Sequence, residues 1–247
     1  MGEQSRVAVF EALVDVLTWR QYLTGAMSVR SRSRPAPSKE RKRARRHAPE
    51  EARREILDSA TRFLWKRHFR DLTVGELMGG TTLSRAAFYQ YFTDLHDLIL
   101  SLLGEIEAVM HQTASPWISG EGEPIAALRE SNRAVVETCA KHGPIIRAIV
   151  EAVPLDERLE QAWSLFMGRW DDAVEARIVA QQRDGLIPPL DARRIANALN
   201  SLDVNLVIAA FGRHPQDDPK EVLETMHRVW SSTLYGRPPR ALAPKQG

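Results

Sequence analysis

The chain has 247 residues, 43% of them hydrophobic and 27% charged, which is enough apolar material to bury a core without disulfides or a structural metal. Its single cysteine, Cys139, excludes an intramolecular disulfide and a cysteine-rich zinc module, and favours a reducing, cytoplasmic setting. No apolar run approaches the roughly 18 residues of a membrane span, and no cleavable leader opens the chain. We therefore expect no membrane partner, no metal and no cofactor.

Charge is distributed unevenly along the chain. The net charge is only +2, but residues 1–100 hold 18 Lys+Arg against 12 Asp+Glu, which leaves 16 against 20 for the remainder. The N-terminal part is therefore suited to a polyanionic partner.

The first 48 residues form an extension with two segments. Residues 1–27 contain one short amphipathic pattern, which is either a working appendage or the product of an upstream start, with translation beginning at Met27. Residues 30–47 hold nine Lys and Arg against Glu40, with Pro35 and Pro37 opposing regular structure. This composition predicts a disordered basic arm. The arm either binds DNA or is a solvated tail without a fixed partner.

Three helices are predicted over residues 49–93. Pro49, followed by Glu50 and Glu51, starts a helix over about 49–67. Thr73 and Glu76 have the spacing of a capping box, and Gly79-Gly80 ends the short helix that they open. Ser84 is placed to cap a second short helix over 85–91.

A larger helical unit is predicted over residues 94–236, followed by a mobile tail at 237–247. Aspartates are placed to cap four of its helices, which begin after Asp94, Asp156, Asp191 and Asp218. Pro and Gly predict a loop at 115–124 and a break at His142-Gly143-Pro144 between helices at 125–141 and 144–152. No strand pattern occurs, so we expect an all-α fold.

Two short helices behind a capped first helix, preceded by arginines, match the arrangement that places a helix in the major groove of DNA. The sequence LTVGELMGGTTLSRAAFYQYFTDLHDLI at 72–99 resembles the DNA-binding domain of TetR-family transcriptional repressors. Further similarity to a ligand-sensing group of that family occurs at AWSLFMGRW (162–170), ALNSLD (198–203) and VWSSTLYG (229–236). The resemblance implies a three-helix helix-turn-helix domain, a C-terminal ligand-binding core, and a homodimer paired through its last two helices.

Within the motif, Arg85 is a candidate for a guanine edge or a phosphate, and Gln90 for an adenine edge. Hydroxyl groups around the turn suit backbone phosphates, whereas the tyrosine rings suit either DNA contact or interhelix packing. The candidate DNA-binding residues are Arg43, Arg45, Arg46, Thr73, Thr82, Ser84, Arg85, Ala86, Tyr89, Gln90 and Tyr91.

Three positions depart from the family pattern. Thr82 replaces the usual turn glycine, which predicts a distorted turn if a positive φ is needed there. Ala87 and Leu95 replace a threonine and a lysine that contact phosphates. The arginines of the arm could compensate through counterion release.

Asn200 and Asp203 lie three residues apart on one helix, near an aromatic stripe, which predicts either an internal hydrogen bond or a ligand contact. The family resemblance implies a tunnel-like apolar pocket, with Asp203 in place of a second amide. The candidate ligand-binding residues are Leu128, Val135, Trp163, Met167, Trp170, Asn200, Asp203, Ile208 and Trp230. The alternative is a well-packed core without a ligand.

These features predict a dimeric, ligand-responsive repressor that binds a roughly palindromic double-stranded DNA operator and is released by a small hydrophobic effector. The alternative is a helical sensor with weak or nonspecific DNA binding. An enzyme is not supported, because the sequence contains no phosphate-binding glycine loop, paired metal-ligating histidines or GxSxG motif.

Overall fold

The computed structural model describes residues 49–113 and 115–236. The extension of residues 1–48, with its basic arm, and the tail from residue 237 lie outside this part of the chain. Within the described residues all regular structure is helical, and no helix is long and apolar enough to cross a membrane. The all-α prediction is confirmed.

Nine helices follow one another along the described residues. Their bounds are α1 Pro49–Leu64, α2 Val74–Gly79, α3 Arg85–Phe88, α4 Leu95–His111, α5 Pro116–Ser119, α6 Pro124–Ala152, α7 Glu157–Arg183, α8 Ala192–Phe211 and α9 Pro219–Tyr235. Helices α1 to α3 form an N-terminal unit, which we call the head. Helices α4 to α9 form the remainder, which we call the core.

Large side chains from all three helices close the interior of the head. Leu64 on α1, Leu77 on α2 and Phe88 on α3 are all fully buried. Thr73 caps α2 as predicted, since its side chain accepts a hydrogen bond from the Glu76 N–H. The head therefore gains its rigidity from packing, because helices as short as α2 and α3 are unstable alone.

Two helices of the head end earlier than predicted. Helix α1 stops at Leu64 rather than at 67, and α3 covers 85–88 rather than 85–91. After Phe88 the backbone tightens, because the N–H groups of Gln90 and Tyr91 bond to carbonyls only three residues back. Ser84 occupies the cap position of α3, but its hydroxyl makes no capping bond.

The core helices begin where their aspartates predict. Each of the four aspartate side chains accepts a hydrogen bond from a backbone N–H two or three residues further on, in the first turn of α4, α7, α8 and α9. These caps satisfy N–H groups that a helix cannot pair internally, so the helix starts follow from local chemistry.

The predicted break at Pro144 is wrong, because α6 runs unbroken from Pro124 to Ala152. Proline has no N–H to offer the Ala140 carbonyl. The side-chain amide of Gln216 donates to that carbonyl instead, at 3.1 Å. The predicted loop at 115–124 is also partly wrong, since it contains the short helix α5 with a buried Trp117.

Candidate functional site

The exposed surface of α3 presents the residues predicted to read DNA. Ser84, Arg85, Ala86 and Gln90 are exposed, and Tyr89 is 59% exposed. Tyr91 differs, because it is half-buried and packs against the hydrophobic core. The exposed residues form a short segment of mixed chemistry, which we call the probe, and the Tyr91 ring packs beside it against the hydrophobic core.

Phe88 and Phe92 fix this probe from behind. Both are buried, and their ring centroids lie 5.6 Å apart. Arg53 of α1 lies over the Phe92 ring at 5.4 Å from its centroid, which adds a cation–π contact between α1 and the segment after α3. The orientation of α3 is thus set by the interior of the head.

Two predicted phosphate donors already have protein partners. The Thr73 hydroxyl caps α2 and also lies 3.4 Å from a Glu76 carboxylate oxygen. The Thr82 N–H donates to Glu55, and its hydroxyl donates to the same carboxylate at 3.2 Å. A hydroxyl has one proton to donate, so a phosphate contact by Thr82 requires Glu55 to give way. The three arm candidates, Arg43, Arg45 and Arg46, lie outside the described residues.

A cavity of about 120 Å³ lies within the core. Its walls come from α4, α5, α6, α7, α8 and α9, and most of the lining side chains are apolar. Of the predicted ligand-binding residues, it is lined by Leu128, Val135, Trp163, Met167, Trp170, Asn200, Asp203 and Trp230. Ile208 does not line it and instead packs, half-buried, against the hydrophobic core.

Sequence reasoning missed several lining residues that come from other helices. Ile106 and Met110 belong to the apolar stripe of α4, and Trp117 belongs to the segment interpreted as a loop. Asn132 and Cys139 on α6 were also missed. The stripe of α4 was a readable signal, but only the packing of α4 against α6 and α7 shows that part of it faces a cavity.

Asp203 is the only acidic side chain among the described residues that line the cavity. Burial raises its pKa to about 7, against the opposing effect of the Trp230 indole N–H. That N–H donates to both carboxylate oxygens, at 3.1 and 3.0 Å. Within the described residues no cationic side chain forms an ion pair with Asp203, so the cavity contains an uncompensated carboxyl group.

The other polar groups of the cavity are satisfied to different degrees. Asn200 donates to the buried Asp171 at 2.8 Å, which is the internal hydrogen bond predicted as one alternative. Asn132 is 5% exposed, and its amide nitrogen is buried without a hydrogen-bond partner. Burial raises the pKa of the Cys139 thiol to about 12, with a further contribution from Asp203, so this thiol is inert.

Two consecutive hydrogen bonds fix the position of Trp117 in the cavity wall. Trp117 and Trp230 meet edge to face with centroids 5.8 Å apart. The Trp117 indole donates to the Tyr235 hydroxyl, which donates to Gln181, each at 2.7 Å. The indole N–H groups of Trp117 and Trp230 are therefore used by the protein, whereas Asp203 has no ion-pair partner and the Asn132 amide nitrogen has no hydrogen-bond partner among the described residues.

The lining of the cavity has the composition of a small-molecule binding pocket. The described residues contain no cluster of three or more side chains suited to a metal ion. An apolar cavity with a few polar groups is typical of a site that binds a small molecule.

Comparison with known proteins identifies similar transcriptional regulators. Residues 128–236 match the family model described as the C-terminal domain of the transcriptional regulator EthR. The HTH-type transcriptional regulator EthR of Mycolicibacterium smegmatis is 26% identical over 80% of this chain and 93% of its own length. The EthR of Mycobacterium tuberculosis H37Rv is 29% identical over 73% of this chain and 86% of its own.

Solved structures confirm the fold. AibR, crystallised with isovaleryl coenzyme A and operator DNA, superposes with a TM-score of 0.60 at 16% identity, over 75% of this chain and 99% of that chain. Transcriptional regulators of the TetR family recur among the structural neighbours. These similarities show that the chain has the fold of TetR-family transcriptional regulators, and that residues 128–236 are similar to the C-terminal domain of EthR.

Proposed function

We propose that this chain is a TetR-family transcriptional repressor that binds a roughly palindromic operator as a homodimer and leaves it when a lipophilic effector enters the core cavity. The observation that carries this proposal is the position of α4. This helix begins directly after the head and contributes Ile106 and Met110 to the cavity wall. A ligand that displaces α4 would therefore alter the position of the head.

A dimer through α8 and α9 is supported by an unpartnered stripe on α8. Ala198, Ser201, Leu202, Asn205 and Ala209 are exposed and recur at helical spacing. Leu202 is 39% exposed, although it is a large apolar residue. A twofold pair would place two heads side by side, and their α3 helices would need to match successive major grooves about 34 Å apart.

The effector class follows from the cavity walls. Apolar residues favour a lipophilic body, while an uncompensated Asp203 carboxyl favours an amine or another hydrogen-bond donor. The unpartnered Asn132 amide nitrogen favours a hydrogen-bond acceptor elsewhere on the same molecule. We therefore propose a lipophilic amine that also carries a carbonyl or ether oxygen.

The DNA part of the proposal is tested by selecting bound duplexes from a random pool at physiological salt. The expected result is one preferred palindrome, which double alanine substitution at Arg85 and Gln90 abolishes. Arg183→Ala is the control, because Arg183 is an exposed residue near the end of α7. A protein that loses all duplexes alike as salt rises would instead be the nonspecific sensor that the shortened α3 and the engaged Thr82 favour.

The effector part is tested by thermal shift with octylamine, octanol and octanoate. We expect octylamine to stabilise the wild type more than octanol does, and this advantage to disappear in Asp203→Asn. Equal stabilisation of both proteins by the amine and the alcohol would refute the role of Asp203. Operator release by octylamine, measured by fluorescence anisotropy, then tests the link between the two sites.

A further inference from the structure

Arg147 on α6 lies where the head meets the core, and only 12% of its side chain is exposed. One terminal nitrogen donates to the backbone carbonyls of Leu64 and Arg67, at 3.0 and 2.8 Å. The other donates to the carbonyl of Gly212 at 2.5 Å. Leu64 is the last residue of α1, and Gly212 directly follows α8.

These contacts match what helix C-termini require. The last four carbonyls of a helix have no partner within it and carry partial negative charge. A guanidinium offers several donors in a fixed plane, so Arg147 can satisfy two helix ends at once. Since α1 belongs to the head and α8 to the core, one side chain joins the two units.

Glu151, one turn further along α6, adds a second set of contacts to the head. Its carboxylate accepts from the Phe69 N–H at 3.1 Å and lies 2.6 Å from Nδ1 of His68. Arg147 Nε is 3.6 Å from the same carboxylate. The segment between α1 and α2 is thus held by two adjacent charged residues of the core.

The same stretch of α6 also faces the cavity. Ile146 and Ile149 line it, and at about 100° per residue they project away from Arg147 and Glu151. Close backbone packing fixes α6 against α8, because a Cβ on Gly143 would lie 2.2 Å from the Phe211 carbonyl oxygen. A change at the cavity wall cannot rotate α6 without disturbing the contacts to the head.

We propose that Arg147 and Glu151 are positioning residues that set the orientation of the head, and that α6 transmits the state of the cavity to the head alongside α4. The proposal rests on the proposed function for its regulatory meaning. The contacts of Arg147 and Glu151 with the head, which we call the clamp, can be tested without DNA or ligand.

Hydrogen exchange of residues 61–72 measures how firmly the head is held, and operator affinity measures the consequence. Arg147→Ala is expected to speed exchange in this segment about tenfold and to weaken operator binding by a similar factor, because it leaves three carbonyls unpaired. Arg147→Lys, which keeps the charge but not the planar fork, should recover part of both effects. The control is Arg129→Ala, which removes a pair between α6 and Glu224 of α9 far from the head.

One outcome would overturn the positioning role: both Arg147 variants and Glu151→Gln match the wild type within twofold in exchange and operator affinity. The Lys and Gln variants decide the matter if Arg147→Ala fails to fold. If the wild type itself prefers no duplex, the proposed function fails, whereas the exchange result still decides the clamp.

Transmission through α6 has its own test. Ile149→Phe adds bulk to the cavity wall and should speed hydrogen exchange of residues 61–72 when Arg147 is present. The same substitution should change the exchange rate little in the Arg147→Lys variant, because the clamp is already weakened there. Strictly additive effects of the two substitutions would refute this route, because coupled residues give nonadditive effects.

Discussion

Asp203 shows how one buried residue can make stability depend on pH. Its pKa is raised from 3.8 to about 7 in the folded protein, so between these values the folded state binds more protons than the unfolded state. The free energy of unfolding therefore falls as pH rises from about 4 to 7. Stability contributed by the protonated carboxyl is complete below pH 4 and lost above pH 7.

Asp203→Asn removes this titration, so its melting temperature relative to the wild type should rise between pH 5 and pH 8. Thermal unfolding across that range provides the measurement. Asp172→Asn is the control, because Asp172 is 66% exposed and pairs with Arg193 at the surface. A constant difference between Asp203→Asn and wild type at all pH values would contradict the assigned burial.

Glu55 is an acidic residue whose replacement by a neutral one is expected to strengthen DNA binding. Its carboxylate holds the Thr82 N–H and hydroxyl at the turn before α3, close to where a DNA backbone would approach. Glu55→Gln keeps an acceptor for the turn but removes a charge that repels phosphates. We expect operator affinity to rise about threefold, since one partly exposed charge contributes on the order of 1 kcal/mol or less.

Fluorescence anisotropy with the selected operator at low and high salt measures this effect, which should shrink as salt rises. Asp58→Asn is the matched control, because Asp58 is an acid on the same helix that pairs with Arg54. Unchanged affinity in Glu55→Gln at low salt would show that Glu55 lies away from the phosphates.

Helix α6 shows which elements the sequence can predict. Starts of helices were predicted correctly at Thr73, Asp94 and Asp156 because a capping side chain acts within three residues of its own position. The continuity of α6 through Pro144 was not predictable, because the group that replaces the missing hydrogen bond is Gln216, which lies 76 residues from Ala140. The lining role of Asn132 was missed because it too depends on helices that are distant in the sequence.

Gln216→Ala should destabilise the protein by about 1–2 kcal/mol, because the side chain donates to the carbonyls of both Ala140 and Phe211. Denaturant unfolding provides the measurement. Gln161→Ala is the control, since it removes an exposed bond within one helix, α7. The loss should be smaller in a Pro144→Ala background, where residue 144 supplies its own N–H. The same loss in both backgrounds would mean that Gln216 does not compensate for the proline.

Across the whole molecule, the positive charge is concentrated in the N-terminal extension. Residues 1–48 hold eleven Lys+Arg and four Asp+Glu, so residues 49–247 carry a net charge of −5 against the total of +2. The head, at 49–93, has seven basic and six acidic residues. Residues 49–247 therefore supply little long-range electrostatic attraction to DNA.

Attraction to DNA should consequently depend on the extension. Each phosphate neutralised by a basic side chain adds about 0.9 to the slope of log affinity against log salt. Alanine at Arg43, Arg45 and Arg46 together should lower that slope by about 2 to 3 while leaving the preferred duplex unchanged. Arg85→Ala should have the opposite pattern. It should reduce the preference for one duplex sequence strongly and lower the salt slope only slightly. A salt slope unaffected by the triple substitution would assign DNA attraction to the head alone and would make the arm a solvated tail.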